Sequence, residues 1–151
     1  MNHHPLENLW RKVFTVAALG LSLLLCAAAG QIGSAEPALA SPDGSTPQAR
    51  LAYILSLGWE VEEGETDDQV ALPASFGPSY DSYLALQKEN GFDLAPYAGQ
   101  TVTRYCYRVT NYPDSDCPVL LDLLVYQGQI IGGDVRTAAL DGFMRSLVFP
   151  G

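Results

Sequence analysis

The chain has 151 residues, 48% of them apolar and 17% charged, a composition that belongs to a globular protein with room for one domain. Seventeen Asp and Glu against eight Lys and Arg leave a net charge of −9. From Thr46 onward six bases stand against fourteen acids, with no basic stripe to neutralise phosphates, so nucleic acid is excluded as a partner.

At the N-terminus, Arg11 and Lys12 stand directly before an uncharged apolar run of 17 residues, Val13 to Ala29. That length exceeds a usual signal-peptide core and just reaches the lower limit for a membrane span. Residues 1–30 are therefore read as a signal peptide or an N-terminal membrane anchor, and "ALA" at 38–40 supplies one cleavage signal. Either way the basic pair stays in the cytoplasm and the rest of the chain is expected outside it, anchored or secreted. Residues 31–45, rich in Gly, Ser, Ala and Pro, are read as a flexible linker, and 46–151 as an extracytoplasmic α+β domain.

The domain opens on "TPQARLAYILSLGW". Thr46 caps a helix, Pro47 fits its first position, and Gly58 stops it in the left-handed conformation, with Trp59 folding back onto Ile54. Leu51, Ile54 and Leu55 form the stripe expected to face the core. "WEVEEGETDDQVALP" reads as a short hairpin turning near Gly64, its acids forming a solvated rim. A second helix starts at Gly77 and Pro78, carries Tyr80, Tyr83 and Leu84 on one face, and ends at Gly91 and Phe92. The period then changes to two: in "TVTRYCYRVT", Tyr105, Tyr107 and Val109 point one way, and Arg104, Cys106 and Arg108 the other. "VLLDLLVYQGQIIGGDV" holds two strands joined at Gln127 and Gly128, a register that sets Val125 opposite Ile130, Leu123 opposite Gly132 and Asp122 opposite Gly133. "TAALDGFMRSLVFPG" is a short helix or loop that packs Phe143 and Met144 on the sheet. The order implies an α+β fold with helices on one face of a four- to five-stranded antiparallel sheet, a cystatin-like layout.

Little of the chain carries recognisable chemistry. Histidine occurs only as His3 and His4, which removes Ser-His-Asp and Cys-His catalysis and the usual histidine zinc sites from the domain. "IIGGDV" at 130–135 lacks the Lys, the Ser or Thr and the following helix that a phosphate loop needs, so no nucleotide cofactor is expected. Its glycines are read as places where another backbone or a large ring comes close, with a catalytic Asp134 as the competing reading. "DSDC" at 114–117 offers oxygen ligands without the spacing of a calcium loop, and no metal is expected. Cys106 and Cys117 are a candidate disulfide outside the cytoplasm. Arg104 and Arg108 on one face are a candidate anion site, with Asp122 able to pair with either, and Asp134 is a candidate ligand contact.

The strings "ENGFDLAPYAGQTVTRYCYRVTNYP", "LLVYQGQIIGGDV" and "DGFM" resemble an uncharacterised bacterial family, domain of unknown function 4830 (DUF4830), over most of residues 50–145. Cys106 and Arg136 depart from its pattern. The resemblance implies an exported or membrane-tethered domain and carries over no activity, substrate or catalytic residue. The expectation is thus a non-enzymatic extracytoplasmic module binding an envelope protein, a peptide or a cell-wall component, with Tyr105, Tyr107, Tyr112 and Tyr126 as contact area or core. The alternatives are a carboxylate-dependent hydrolase using Asp134 with a second acid, and a structural domain of an envelope assembly.

Overall fold

The computed structural model describes residues 40–151 except Asp114 and Leu140. The signal or anchor segment and most of the linker lie outside the described residues. Among the described residues no helix is long and apolar enough to cross a membrane.

Helix α1 spans Pro47–Ser56, strand β1 Thr66–Ala71, and helix α2 Asp81–Glu89, entered through a 3-10 turn at Pro78–Tyr80. A second such turn, Ala95–Tyr97, leads to β2 (Thr101–Arg108), β3 (Val119–Tyr126), β4 (Gln129–Thr137) and β5 (Met144–Arg145). The strands form one open antiparallel sheet in the order β1-β2-β3-β4-β5, so the fold is α+β. Both helix ends obey their local signals. The Thr46 hydroxyl accepts from the Ala49 N–H at 3.1 Å. Gly58 and Gly91 take positive φ angles of 91° and 83°. Just past the helices, the amides of Trp59 and Phe92 donate back to the carbonyls of Ile54 and Gln87.

Side chains cluster on both faces of the sheet. Leu121, Leu123 and Val125 of β3 join Tyr107, Val109, Val135 and Leu147, against which α1 lays Tyr53, Ile54 and Leu57. Leu124 lies on the opposite face with Val102, Ile131 and Leu94, where α2 contributes Tyr83 and Leu84. The helices therefore do not share a face, contrary to expectation. The apolar run of β3 is the physical reason, since a strand without polar alternation needs cover on both sides.

Three further expectations are corrected. The acidic segment after α1 does not pair with itself: Val61 bridges Val109, and Thr66–Ala71 pairs with β2 from Thr66 opposite Cys106 to Ala71 opposite Thr101. Two stretches of one edge strand are thus interrupted at Gly64, whose φ is 92°. The buried stripe of α1 is rotated, for Leu51 and Leu55 are exposed while Arg50 is buried. The last linker residues are pinned rather than free: Ile130 N–H donates to Pro42 O at 2.8 Å, and Gly44 N–H to Gly128 O at 2.9 Å.

The glycine pair explains how α2 docks. Beyond the two-residue β5, the edge of β4 is met by an amide side chain: Gln87 Oε1 accepts from Gly133 N–H and Gln87 Nε2 donates to Gly133 O, both at 2.9 Å. Asn90 Nδ2 donates to the same carbonyl at 2.8 Å, and its Oδ1 accepts from Leu147 N–H at 2.6 Å. A Cβ on Gly132 would lie 2.9 Å from Gln87 Oε1, and one on Gly133 only 2.6 Å from the Asp122 carbonyl oxygen. As expected, backbone comes close at Gly133, where the Asp122 carbonyl is joined by Leu147; at Gly132 the neighbour is the Gln87 amide rather than an aromatic ring. Because backbone cannot yield as a flexible side chain can, Gly133→Ala is expected to cost about 1–3 kcal/mol, read as an earlier urea midpoint. A wild-type midpoint would remove the close-approach account.

Candidate functional site

The β3–β4 hairpin sets the geometry. Val125 pairs with Ile130 as expected, but a bulge between Leu124 and Val125 adds Ile131 to β4 and displaces every later pair by one. Leu123 therefore faces Gly133, and Asp122 faces Asp134. Directly opposed residues of an antiparallel pair have Cβ atoms about 5 Å apart on one face, so the shift brings two carboxylates together.

Both acids are inside. Asp122 is 2% and Asp134 4% exposed, and they line a pocket of about 250 Å³ with Val70, Leu72, Phe76, Tyr80, Tyr83, Leu124 and Met144. Arg136 Nε donates to Asp122 Oδ2 at 2.8 Å, and Arg104 approaches the same oxygen at 4.0 Å while holding Asp68 through two bonds of 2.9 Å. The Tyr83 hydroxyl donates to Asp134 Oδ2 at 3.4 Å. The other oxygen of each acid, Asp122 Oδ1 and Asp134 Oδ1, is buried with no hydrogen-bond partner among the described residues. Two such atoms on facing side chains are uncommon, because a buried unsatisfied acceptor costs about 1–3 kcal/mol or more.

Burial pushes the Asp134 carboxyl up to about 6, the Asp122 charge adds to the rise, and Arg136 and Tyr83 oppose it. Burial also raises the Tyr83 phenol, helped by Asp134. The Cys106 thiol, across from Asp122 on β2, is pushed up to about 11 by burial and then by that carboxylate, so it is a poor nucleophile at neutral pH.

The other candidates fare differently. Arg104 reaches the pocket, but Arg108 sits outside it, 3.4 Å from Glu62 on an exposed surface, so the two arginines do not converge into an anion site. Arg136 takes that place because it lies two residues beyond Asp134 on the same face. Cys106 and Cys117 are free thiols. Cys106 lies within the sheet opposite Asp122, while Cys117 lies before β3 in its connection with β2, and no disulfide joins them. Of the tyrosines expected as contact area, Tyr107 is buried, Tyr105 lies under Arg50, Tyr112 stacks on Trp59 at 5.9 Å, and Tyr126 packs on Tyr97 at 5.6 Å. Tyr80 and Tyr83 border the pocket instead. Gly132 and Gly133 lie within β4 and precede no helix, the wrong place for a phosphate loop. Among the described residues no three His, Cys, Asp or Glu side chains gather as metal ligands.

Compared with known families, residues 54–135 match the one described as a domain of unknown function, DUF4830. That span contains β1 to β3, both pocket acids and Tyr83. No curated protein and no solved structure matches the chain.

Proposed function

This chain belongs to the DUF4830 family, and from that premise we propose that it is an extracytoplasmic binding module, anchored by its N-terminal segment or released after cleavage, that takes a small ligand. One observation carries the binding site: two facing, buried carboxylates, each with an unpartnered oxygen, stand in a pocket with apolar and aromatic walls. Ligand sites commonly pair such walls with a few convergent polar groups, and perturbed carboxyls mark them. The apolar run after Arg11 and Lys12 supports the location.

A fragment screen on the full chain tests the site, with amide shifts mapped by NMR. Hits are expected to move Phe76, Tyr83, Leu124 and Asp134 together, and hits that fall only elsewhere would overturn the proposal. For the location, a periplasm-active reporter fused after Gly151 should be active, and full-length protein recovered in the cytosol would refute export.

The same pairing favours a second reading, a hydrolase in which Asp134 works with Asp122. Arg136 donates to Asp122 at 2.8 Å while burial raises the Asp134 carboxyl to about 6, so the two acids stand in different environments, as paired catalytic acids do. Binding is preferred because hydrolysis also requires water and substrate between the two acids, and both Asp122 and Asp134 are buried. Turnover of a chromogenic glycoside, abolished by both Asp122→Asn and Asp134→Asn, would reverse that preference.

A further inference from the structure

We infer that the pocket over β1 to β4 recognises an organic ammonium head group carrying a short apolar body, seated on the free oxygens of Asp122 and Asp134. The inference rests on the binding reading and names its ligand class. Three observations lead to it.

The unpartnered atoms are both acceptors, since an ionised carboxylate has no proton to give, so the complementary group is a donor. The two arginines of the lining leave those oxygens unserved: Arg104 makes its two short bonds to Asp68, which stands outside the lining and is half exposed, and Arg136 donates to the other oxygen of Asp122, so a cationic donor is still wanted at the free oxygens. The walls are carbon, with Val70, Leu72, Phe76, Leu124 and Met144 able to hold an alkyl body, and the Tyr80 and Tyr83 rings border the same space. A bare divalent ion fits worse. It would draw two carboxylates where calcium takes six to eight oxygens, and it would sit beside two guanidinium groups. A primary ammonium supplies three donors, enough for both free oxygens and one more acceptor.

Protonation bears on the same atoms. The groups facing the pair are Asp68 on β1, Arg104 and Cys106 on β2, Arg136 on β4, and Tyr80 and Tyr83 from the α2 side. Of these and the two acids, Asp134 is the one raised to about 6, so acid removes one anionic partner of the ammonium.

The test is calorimetric titration of the purified full chain with hexylammonium, with 1-hexanol and hexanoate as neutral and anionic probes of similar shape. At pH 7.5 hexylammonium is expected to bind about tenfold or more tighter than either, and to weaken by a similar factor at pH 5.0 and in Asp134→Asn, as loss of a charge-assisted bond implies. The wild-type pH profile decides even if the variant folds poorly. Hexanol or hexanoate binding as tightly as hexylammonium, or calcium chloride displacing it, would overturn the ligand class while leaving a binding pocket. If none of the probes binds and fragments also miss the pocket, the binding reading falls with it.

Discussion

Asp134→Asn is expected to make the folded chain more stable at pH 8, by up to about 3 kcal/mol, and to leave it nearly unchanged at pH 4. The carboxyl moves from its usual 3.8 up to about 6 on folding, and each unit corresponds to about 1.4 kcal/mol. The folded state therefore holds this proton more tightly than the unfolded chain. Its contribution is fully present below pH 4, declines as pH rises toward 6, and above that leaves an uncompensated anion. Asparagine removes the charge and offers an N–H to the free oxygen of Asp122. Urea unfolding of both proteins at pH 4, 6 and 8 measures the effect, and comparing the two cancels the titrating groups that Asp134 does not touch. A variant less stable at pH 8, or a difference independent of pH, would show that Asp134 is not a strained anion. A residue that weakens its own fold at working pH is what a site kept for function produces.

The second large effect lies on the other face. Arg50 has 3% of its side chain exposed, donates to the Gly44 carbonyl at 2.7 Å, pairs with Glu65 at 2.5 Å and lies 3.6 Å from the centre of the Tyr105 ring. The Tyr107 hydroxyl donates to the same glutamate. Burial alone would raise the Glu65 carboxyl, but hydrogen bonds from Arg50 and Tyr107 outweigh it and hold it below its usual value. Glu65 thus stabilises the fold above its unfolded pKa, and that contribution is lost as pH falls through the lower folded one.

Arg50→Met strands the carboxylate and the Gly44 carbonyl, and a loss of about 3–5 kcal/mol is expected. Arg50→Met with Glu65→Leu should recover much of it, because an apolar pair replaces the buried ions without leaving either uncompensated. Chemical denaturation of the two variants settles the matter: equal losses would mean that arginine packing, not its charge, holds the segment. The same variants test the pinned linker, since freeing Gly44 should speed hydrogen exchange at Ile130, whose N–H donates to Pro42.

Local chemistry was legible wherever neighbours in sequence are neighbours in space. Thr46, Pro47 and Gly58 mark the limits of α1, Gly91 closes α2, and Gln127 with Gly128 turns the β3–β4 hairpin, because caps and turns are made within a few residues. Arg50 was missed for the opposite reason. Periodicity registers apolarity, whereas this arginine is buried through Glu65, fifteen residues on, and through Tyr107. The acid pair was hidden by one extra residue in β4, since a bulge leaves no mark in composition beyond glycines, which a close backbone approach would equally require. Nothing in the sequence around Gln87 marks its role, because its partner is the backbone of Gly133, 46 residues further on.

What the amino-acid order alone determined is the family, the α+β class, the helix ends, the acidic surface and the absence of imidazole from the domain, all properties of composition or of short-range geometry. Tertiary structure decided which face each helix covers and that Asp122 meets Asp134. Both depend on register and on burial between distant segments, and a shift of one residue in a strand exchanges which partners its side chains meet.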